Sequence, residues 1–340
     1  MSMPSTGGQA PGGELRRLRL FLTITILATF ALVVVGGVVR ITDSGLGCGV
    51  GGSGLKGWPL CGGRALPLVQ ENAVIEFSHR ALAAIVTGLI LLCTWQARKL
   101  PGQTFLRRGT VAAALLVLAQ AVLGGLTVEN NLTEYLVAAH LGLAMLLLGT
   151  LLVLRWATAR EEGAAPPRLA GRGLRPLATA ASALVLATVV AGGVIAGTEE
   201  EGIKNGVTNG AHLACGEQFP GCLGGVLPFG EHGRLADIQL THRALVYATS
   251  LTILTLLGLA LYRRVWSLEF TALAALLALQ VLLGALNVWL GKHPGLIVAH
   301  LATGTLLWSA AVSTTLRLSP APRTAARPSP ADPKTSAAPA

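Results

Sequence analysis

The sequence predicts an all-α membrane protein of eight transmembrane helices, arranged as two tandem pseudo-symmetric four-helix bundles with both termini cytoplasmic. Three observations lead there. The 340-residue chain is 52% hydrophobic and only 12% charged, about half the roughly 25% charged residues of a soluble domain, and its mean hydropathy is positive. Eight stretches, 20–39, 75–97, 110–127, 135–156, 176–196, 238–261, 268–289 and 294–315, approach the ~20 apolar residues needed to cross a bilayer. The second four stretches repeat motifs of the first four.

The first span, RRLRLFLTITILATFALVVVGG from Arg16, has the basic start of a secretory signal. Its apolar run outlasts the about 7–15 residues of such a signal and no A-x-A site follows, so it is kept as a span. MSMPSTGGQAPGG at one end and SPAPRTAARPSPADPKTSAAPA at the other are rich in Pro, Ala, Ser and Gly, a composition that cannot bury enough apolar surface to fold. The expected domains are a disordered tail at 1–17, a first bundle at 18–159, a linker at 160–175, a second bundle at 176–316 and a disordered tail at 317–340.

A net charge of +10 can mean a nucleic-acid partner. Here the basic residues are separated by spans instead of gathered on one face, which speaks against that class. The N-terminus (Arg16, Arg17, Arg19), the second loop (Arg98, Lys99, Arg107, Arg108), the fourth (Arg155, Arg160, Arg168, Arg172, Arg175), the sixth (Arg263, Arg264) and the tail (Arg317, Arg323, Arg327, Lys334) hold 18 Lys and Arg. The odd-numbered loops hold six: Arg40, Lys56, Arg64, Lys204, Arg234 and Lys292. The positive-inside rule therefore places both termini in the cytoplasm and the long loops, 41–74 and 197–237, on the outer face of a cell membrane.

The repeat organises the chain. GGVVR at 36–40 is answered by GGVIAG at 192–197, IEFSHRAL by IQLTHRAL, LAQAVLGGLTVENN by LALQVLLGALNVWL, and LVAAHLGLAMLLL by LIVAHLATGTLLW, at an offset between 156 and 163 residues. Four spans return a chain to the side it left, so the two units share one orientation. Each unit also carries a cysteine pair in its first outer loop, Cys48 and Cys61, then Cys215 and Cys222. Paired cysteines outside the cytoplasm oxidise readily, whereas a metal centre wants further Cys or His ligands. His212 is near the second pair but a fourth ligand is not evident, so one disulfide per loop is expected. Cys93, alone within a span, is expected to be a small core residue.

Each unit contributes two histidines to even-numbered spans, His79 and His140, then His242 and His300, all within about two turns of the outer end. His212, His232 and His293 fall in outer loops, where exposure is expected. A lone imidazole in an apolar helix is commonly a hydrogen-bonded packing residue. Recurrence in a duplicated unit, and the cost of a polar group within the membrane, favour ligands. Two neutral imidazoles from facing helices suit axial coordination of haem iron in a bundle core. Gly124, Gly125, Gly142, Gly284 and Gly304 would let a flat ring, or simply a neighbouring helix, approach closely.

Arg80 and Arg243 follow His79 and His242 directly. They could pair with haem propionates or snorkel to the outer headgroups. Glu76 stands three residues before His79 on the same helix face, and the matching position before His242 is Gln239. One half thus has a carboxylate at its site and the other an amide. That suggests chemistry in the first half and a resident redox cofactor in the second, with interfacial solvation as the plainer use of Glu76. A di-iron carboxylate bundle would need two E-x-x-H motifs and two more glutamates, and this chain has one copy.

On these residues the chain resembles the haem A synthase family, eight-span enzymes that convert haem O to haem A. The resemblance covers about 18–316 and rests on GGVVRITDSGLGC, WPLCGG, EFSHR, VAAHLG, THRAL and VAHLATG. It implies that His242 and His300 are axial ligands of a haem b cofactor, that His79 and His140 ligate the iron of the substrate haem O, and that Glu76 is the catalytic acidic residue. It also implies oxidation of the methyl group at haem carbon 8 to a formyl group through successive hydroxylations and loss of water. The implied partners are an electron donor or acceptor of unspecified identity, haem O synthase, terminal oxidase assembly factors and a further copy of the chain. The cysteine loops are linked in the family to disulfide formation and activity. One departure is the first pair, which encloses 12 residues including GVGGSGLKG, where bacterial relatives usually show a shorter spacing like that of Cys215 and Cys222. Closure there requires the two Cα atoms within about 7 Å. Two rival classes remain, a di-haem b electron-transfer subunit reacting with quinone and a haem transporter built on the parallel repeat. The Glu76/Gln239 difference and the cysteine loops favour oxidation.

Overall fold

The computed structural model describes residues 11–49, 56, 58–66, 69–165, 169, 171, 173–198, 210–291 and 293–319. The outermost parts of both expected tails, the basic residues Arg168, Arg172, Lys204, Lys292, Arg323, Arg327 and Lys334, and most of the glycine-rich insert after Cys48 lie outside the described residues. The helices are α1 (Pro11–Ile41), α2 (Glu71–Arg98), α3 (Thr104–Glu129), α4 (Glu134–Glu161), α5 (Leu174–Gly197), α6 (Arg234–Tyr262), α7 (Leu268–Trp289) and α8 (Pro294–Leu318). All eight are long and apolar enough to span a bilayer, and the chain is a multi-pass membrane protein.

Seven of the described helices overrun the apolar stretches of the sequence and α7 coincides with its own; the overrun is largest in α1, which starts at Pro11 where the first bundle was expected to start at 18. Hydropathy marks only the part of a helix that meets lipid. Polar residues such as Glu14, Arg16 and Arg17 continue α1 beyond it. Within the spans, Leu and Ala supply helix propensity, and Pro294 sits at the first turn of α8, where its missing N–H costs nothing. Hydroxyls are satisfied by carbonyls one turn back, as in Thr25 to Phe21 O and Thr29 to Thr25 O, both at 2.7 Å. These bonds satisfy the two buried hydroxyls in a medium without water. Outward faces are apolar, with Leu20, Ile24 and Leu27 on α1 and Leu251 and Leu254 on α6 all exposed.

Contacts close each run of four helices into a ring. α1 packs on α2, α2 on α3, α3 on α4 and α4 back on α1, and α5 to α8 do likewise. The rings meet through α4 against α5 and through α8 against α1 and α4. Small residues make the α4–α5 crossing tight. A Cβ at Gly193 would lie 3.0 Å from the Ala138 Cα, and one at Gly197 only 2.2 Å from the Glu134 Cα, one turn along both helices. Gly197→Ala is accordingly expected to force two backbones apart and cost about 3 kcal/mol, the upper end for overpacking. The check is the midpoint of thermal unfolding in detergent, and an unchanged midpoint would mean the helices do not approach this closely. Farther along the interface, the Trp308 indole N–H donates to the Met145 carbonyl at 3.0 Å, over the bare Cα of Gly149.

Two apolar cores fill the helix rings, and the second extends across to Val33, Met145 and Leu148 of the first ring. In the first, Leu18, Leu22, Val86, Ile90, Cys93 and Leu106 pack with Leu151 and Leu154. In the second, Ile253, Leu256, Phe270 and Leu273 pack with Leu307 and Ala311. Cys93 is the buried core residue its surroundings suggested, with the Thr25 hydroxyl 3.7 Å from its sulfur. The four histidines of the spans lie toward the end that carries the two cysteine loops.

Candidate functional site

Alternating helix direction brings His79 on α2, His140 on α4, His242 on α6 and His300 on α8 to the same end, each two to three turns into its helix at most. All four are half-buried. Each ring lies against a glycine on the helix before it. The Cε1 atoms of His79, His140, His242 and His300 stand 3.1, 3.2, 3.4 and 3.2 Å from where a Cβ would be on Gly36, Gly124, Gly192 and Gly284. Each imidazole therefore fills the space of a missing side chain, and any larger residue would push it.

The same glycines uncover backbone. His242 Nδ1 is 3.1 Å from the carbonyl of Thr188, one turn before Gly192. The rings of His79 and His300 are turned to the equivalent carbonyls, those of Leu32 and Gln280, without closing to full hydrogen-bond geometry; their Nδ1 atoms and that of His140 are buried and unpartnered. A carbonyl opposite Nδ1 favours the tautomer with N–H there and a lone pair on Nε2, the arrangement of a metal-ligating histidine. Gln280 supports this from the other side, its amide nitrogen 3.1 Å from His300 Nε2. Gln120, in the same register on α3, donates instead to the His140 carbonyl at 3.0 Å. Both glutamines leave Oε1 buried without a partner.

His79 is within electrostatic reach of His140, and His300 of His242. Among the described residues no group of three or more His, Cys, Asp or Glu could hold a metal ion. Two imidazoles per ring are too few for a bare zinc or iron site. They would suit a metal that brings its remaining ligands with it, as haem iron does.

The asymmetry read from the sequence has structural content. Glu76 is 3% exposed. Its Oε2 accepts from the Cys48 backbone N–H at 2.7 Å, and its Oε1 accepts from Arg80 Nη2 one turn on. Arg80 Nη1 donates to the carbonyls of Leu60 at 2.8 Å and Pro59 at 3.3 Å. In the second ring Arg243 Nη1 likewise grips its loop, on the carbonyls of Gln218 at 2.9 Å, Pro220 and Gly221. There the likeness ends. Gln239 Oε1 and Arg243 Nη2 are both buried and both unpartnered, so this pair does not join.

Both disulfides are present, Cys48–Cys61 with Cα atoms 4.2 Å apart and Cys215–Cys222 with 4.8 Å. The longer first spacing is no obstacle, because each second cysteine starts the same turn: Cys61 N–H bonds Arg64 O at 2.8 Å and Cys222 N–H bonds Gly225 O at 2.7 Å. Each loop also plants an aromatic ring on the third helix of its unit. Trp58 lies against Gly125, its Cδ2 3.0 Å from the Cβ position, and Phe219 meets Trp289 edge to face at 5.8 Å. His232 and His293 are exposed as expected, but His212 is half-buried, drawn in by the short turn Gly210–Leu213 to within electrostatic reach of His242 and His300.

The cradling glycines on α1 and α5, the Thr188 carbonyl, the two glutamines and the Cys48 amide are absent from the sequence-based set. Gly36 and Gly192, and Gln120 and Gln280, did recur between the halves. Recurrence alone cannot tell which neighbour a residue serves.

With this geometry in hand, comparisons with known proteins are specific. Residues 19–312 match the COX15-CtaA family model, described as cytochrome oxidase assembly protein. The chain is similar to the Heme A synthase of Halalkalibacterium halodurans, at 28% identity over 63% of this chain and 66% of that protein. It is similar to the Heme A synthase of Alkalihalophilus pseudofirmus, at 27% over 77% of this chain and 83% of that one. With the Heme A synthase of Shouchella clausii it shares 34% identity over 38% of this chain and 42% of the relative.

Proposed function

We propose, from the premise that the chain belongs to the COX15-CtaA family of cytochrome oxidase assembly proteins, that it oxidises the C8 methyl group of haem O to the formyl group of haem A. The observation that carries this is the broken symmetry of two otherwise matching histidine pairs, with Glu76 beside one and Gln239 beside the other. A carrier of two permanent haems has no use for that difference.

In this reading His79 and His140 hold haem O, and His242 and His300 hold haem b as the resident cofactor. Haem b, when bound, supplies a site that stores or passes electrons. The protein's own contribution is positional. Glycine cradles seat all four imidazoles, and the Thr188 carbonyl opposite Nδ1 leaves the lone pair of His242 on Nε2. The Cys48 N–H and Arg80 fix the Glu76 carboxylate, which can take or return a proton at one oxygen as the methyl carbon is oxidised. Arg80 and Arg243 tie the two disulfide loops to the helices that carry His79 and His242. The chain lies in the cell membrane with both termini cytoplasmic and the cysteine loops outside, as the distribution of Lys and Arg supports. Its further partners are an electron donor or acceptor and the enzymes before and after it in haem delivery to a terminal oxidase.

Membranes that make haem O but no haem A test the activity: expression of this chain should yield haem A in extracted pigment, and its failure to appear with haem O bound would overturn the assignment. The cradles give a second expectation. Gly192→Val or Gly284→Val should displace His242 or His300 and weaken haem b binding by about 5- to 150-fold, a cost of roughly 1–3 kcal/mol. Gly36→Val and Gly124→Val should spare haem b and impair the substrate side. Haem b content of the purified proteins distinguishes the two pairs.

A further inference from the structure

Arg80 and Arg243 are equivalent by register, each next to a histidine of its pair and each holding its own disulfide loop through Nη1. Their second amino groups are committed differently. Arg80 Nη2 is taken by Glu76. Arg243 Nη2 is unpartnered on a side chain only 4% exposed, and a buried guanidinium nitrogen without an acceptor is costly unless a ligand supplies one. A haem held by His242 and His300 would carry two propionate carboxylates, acceptors of the kind this nitrogen lacks. We propose that Glu76 and Gln239 set the residence of the two haems: Gln239 leaves Arg243 free to bind a propionate and keep its haem, while Glu76 takes Arg80 and lets its haem exchange.

The inference rests on the haem-binding reading above and deepens it. The carboxylate at position 76 then has a use besides proton transfer. A substrate must leave after oxidation and a cofactor must not, and the same two-atom competition for an arginine separates them. A charge-assisted hydrogen bond lost or gained in a buried site changes affinity by about ten- to a hundredfold.

The reciprocal pair Glu76→Gln and Gln239→Glu tests this without an activity assay. Each purified protein is loaded with haem O and haem b and mixed with excess apomyoglobin as the haem acceptor, and release of each haem is followed by its absorbance. Gln239→Glu offers Arg243 an i, i+4 carboxylate like that of the first ring, and should speed release from the His242/His300 pair about tenfold or more. Glu76→Gln frees Arg80 and should slow release from the His79/His140 pair by a similar factor. Slower release cannot come from misfolding, so this arm stands if the other variant folds poorly. Release rates within about twofold of the unaltered chain in both variants, with haem still bound through the histidines, would overturn the inference and leave the proposed function intact. Loss of haem b failing to follow His242→Ala would overturn both.

Discussion

Replacing Glu76 with alanine is expected to lower haem A output by about 10²–10⁴-fold, the range for removing a positioned acid–base group, while haem b stays bound. The expectation follows from where the carboxylate sits. It is buried beside His79, it is the one half's answer to the other half's amide, and two donors hold it, the Cys48 amide and Arg80. Alanine also strands both donors, at about 1–3 kcal/mol for each buried group left unsatisfied, so some loss of stability accompanies the loss of activity. Glu76→Gln separates the two effects. Its carbonyl oxygen still accepts from Cys48, but it exchanges no proton in the relevant range. An alanine-like loss of oxidation in the glutamine variant within a single round, before any product is released and with haem b retained, identifies the proton as what matters. Recovery of turnover by glutamine would reduce Glu76 to a structural clasp on the loop.

Replacing His242 or His300 with alanine is expected to remove haem b from the purified protein altogether. His79→Ala and His140→Ala should leave haem b in place and abolish binding of haem O. The reason is topological: α5 to α8 close one ring and α1 to α4 another, and each ring supplies two histidines, each seated on its own glycine. No third ligand stands in for a lost one, since among the described residues no group of three or more His, Cys, Asp or Glu could hold a metal ion. Haem content per chain, measured from the spectrum of extracted pigment for all four variants, checks the assignment. Loss of haem b on His79→Ala with retention on His242→Ala would invert it.

The spans, the repeat, the four histidines and Glu76 were legible because each departs from an otherwise apolar pattern at a register that recurs. Charge inside a span is costly, so its presence is informative even before any contact is known. Partners were less legible. Spacing puts Arg80 one turn after Glu76, yet nothing local says that Glu76 captures it or that the loop carbonyls of Pro59 and Leu60 share it. Those acceptors lie about 20 residues away along the chain and come within reach only once the disulfide loop has folded back over its ring. The same holds for His212, which hydropathy leaves in solvent and the fold draws toward His242. Helix ends were misjudged for a simpler reason: α1 continues through Glu14, Arg16 and Arg17, where hydropathy falls but hydrogen bonding does not.

Pigment extracted from the purified chain, made in membranes that supply haem O, tests the central claim most directly. The expected result is haem b together with haem O, haem A and species between them, with haem A absent from Glu76→Gln. Haem b alone at two full equivalents per chain, unchanged by the substitution, would contradict it and identify a carrier of two permanent haems.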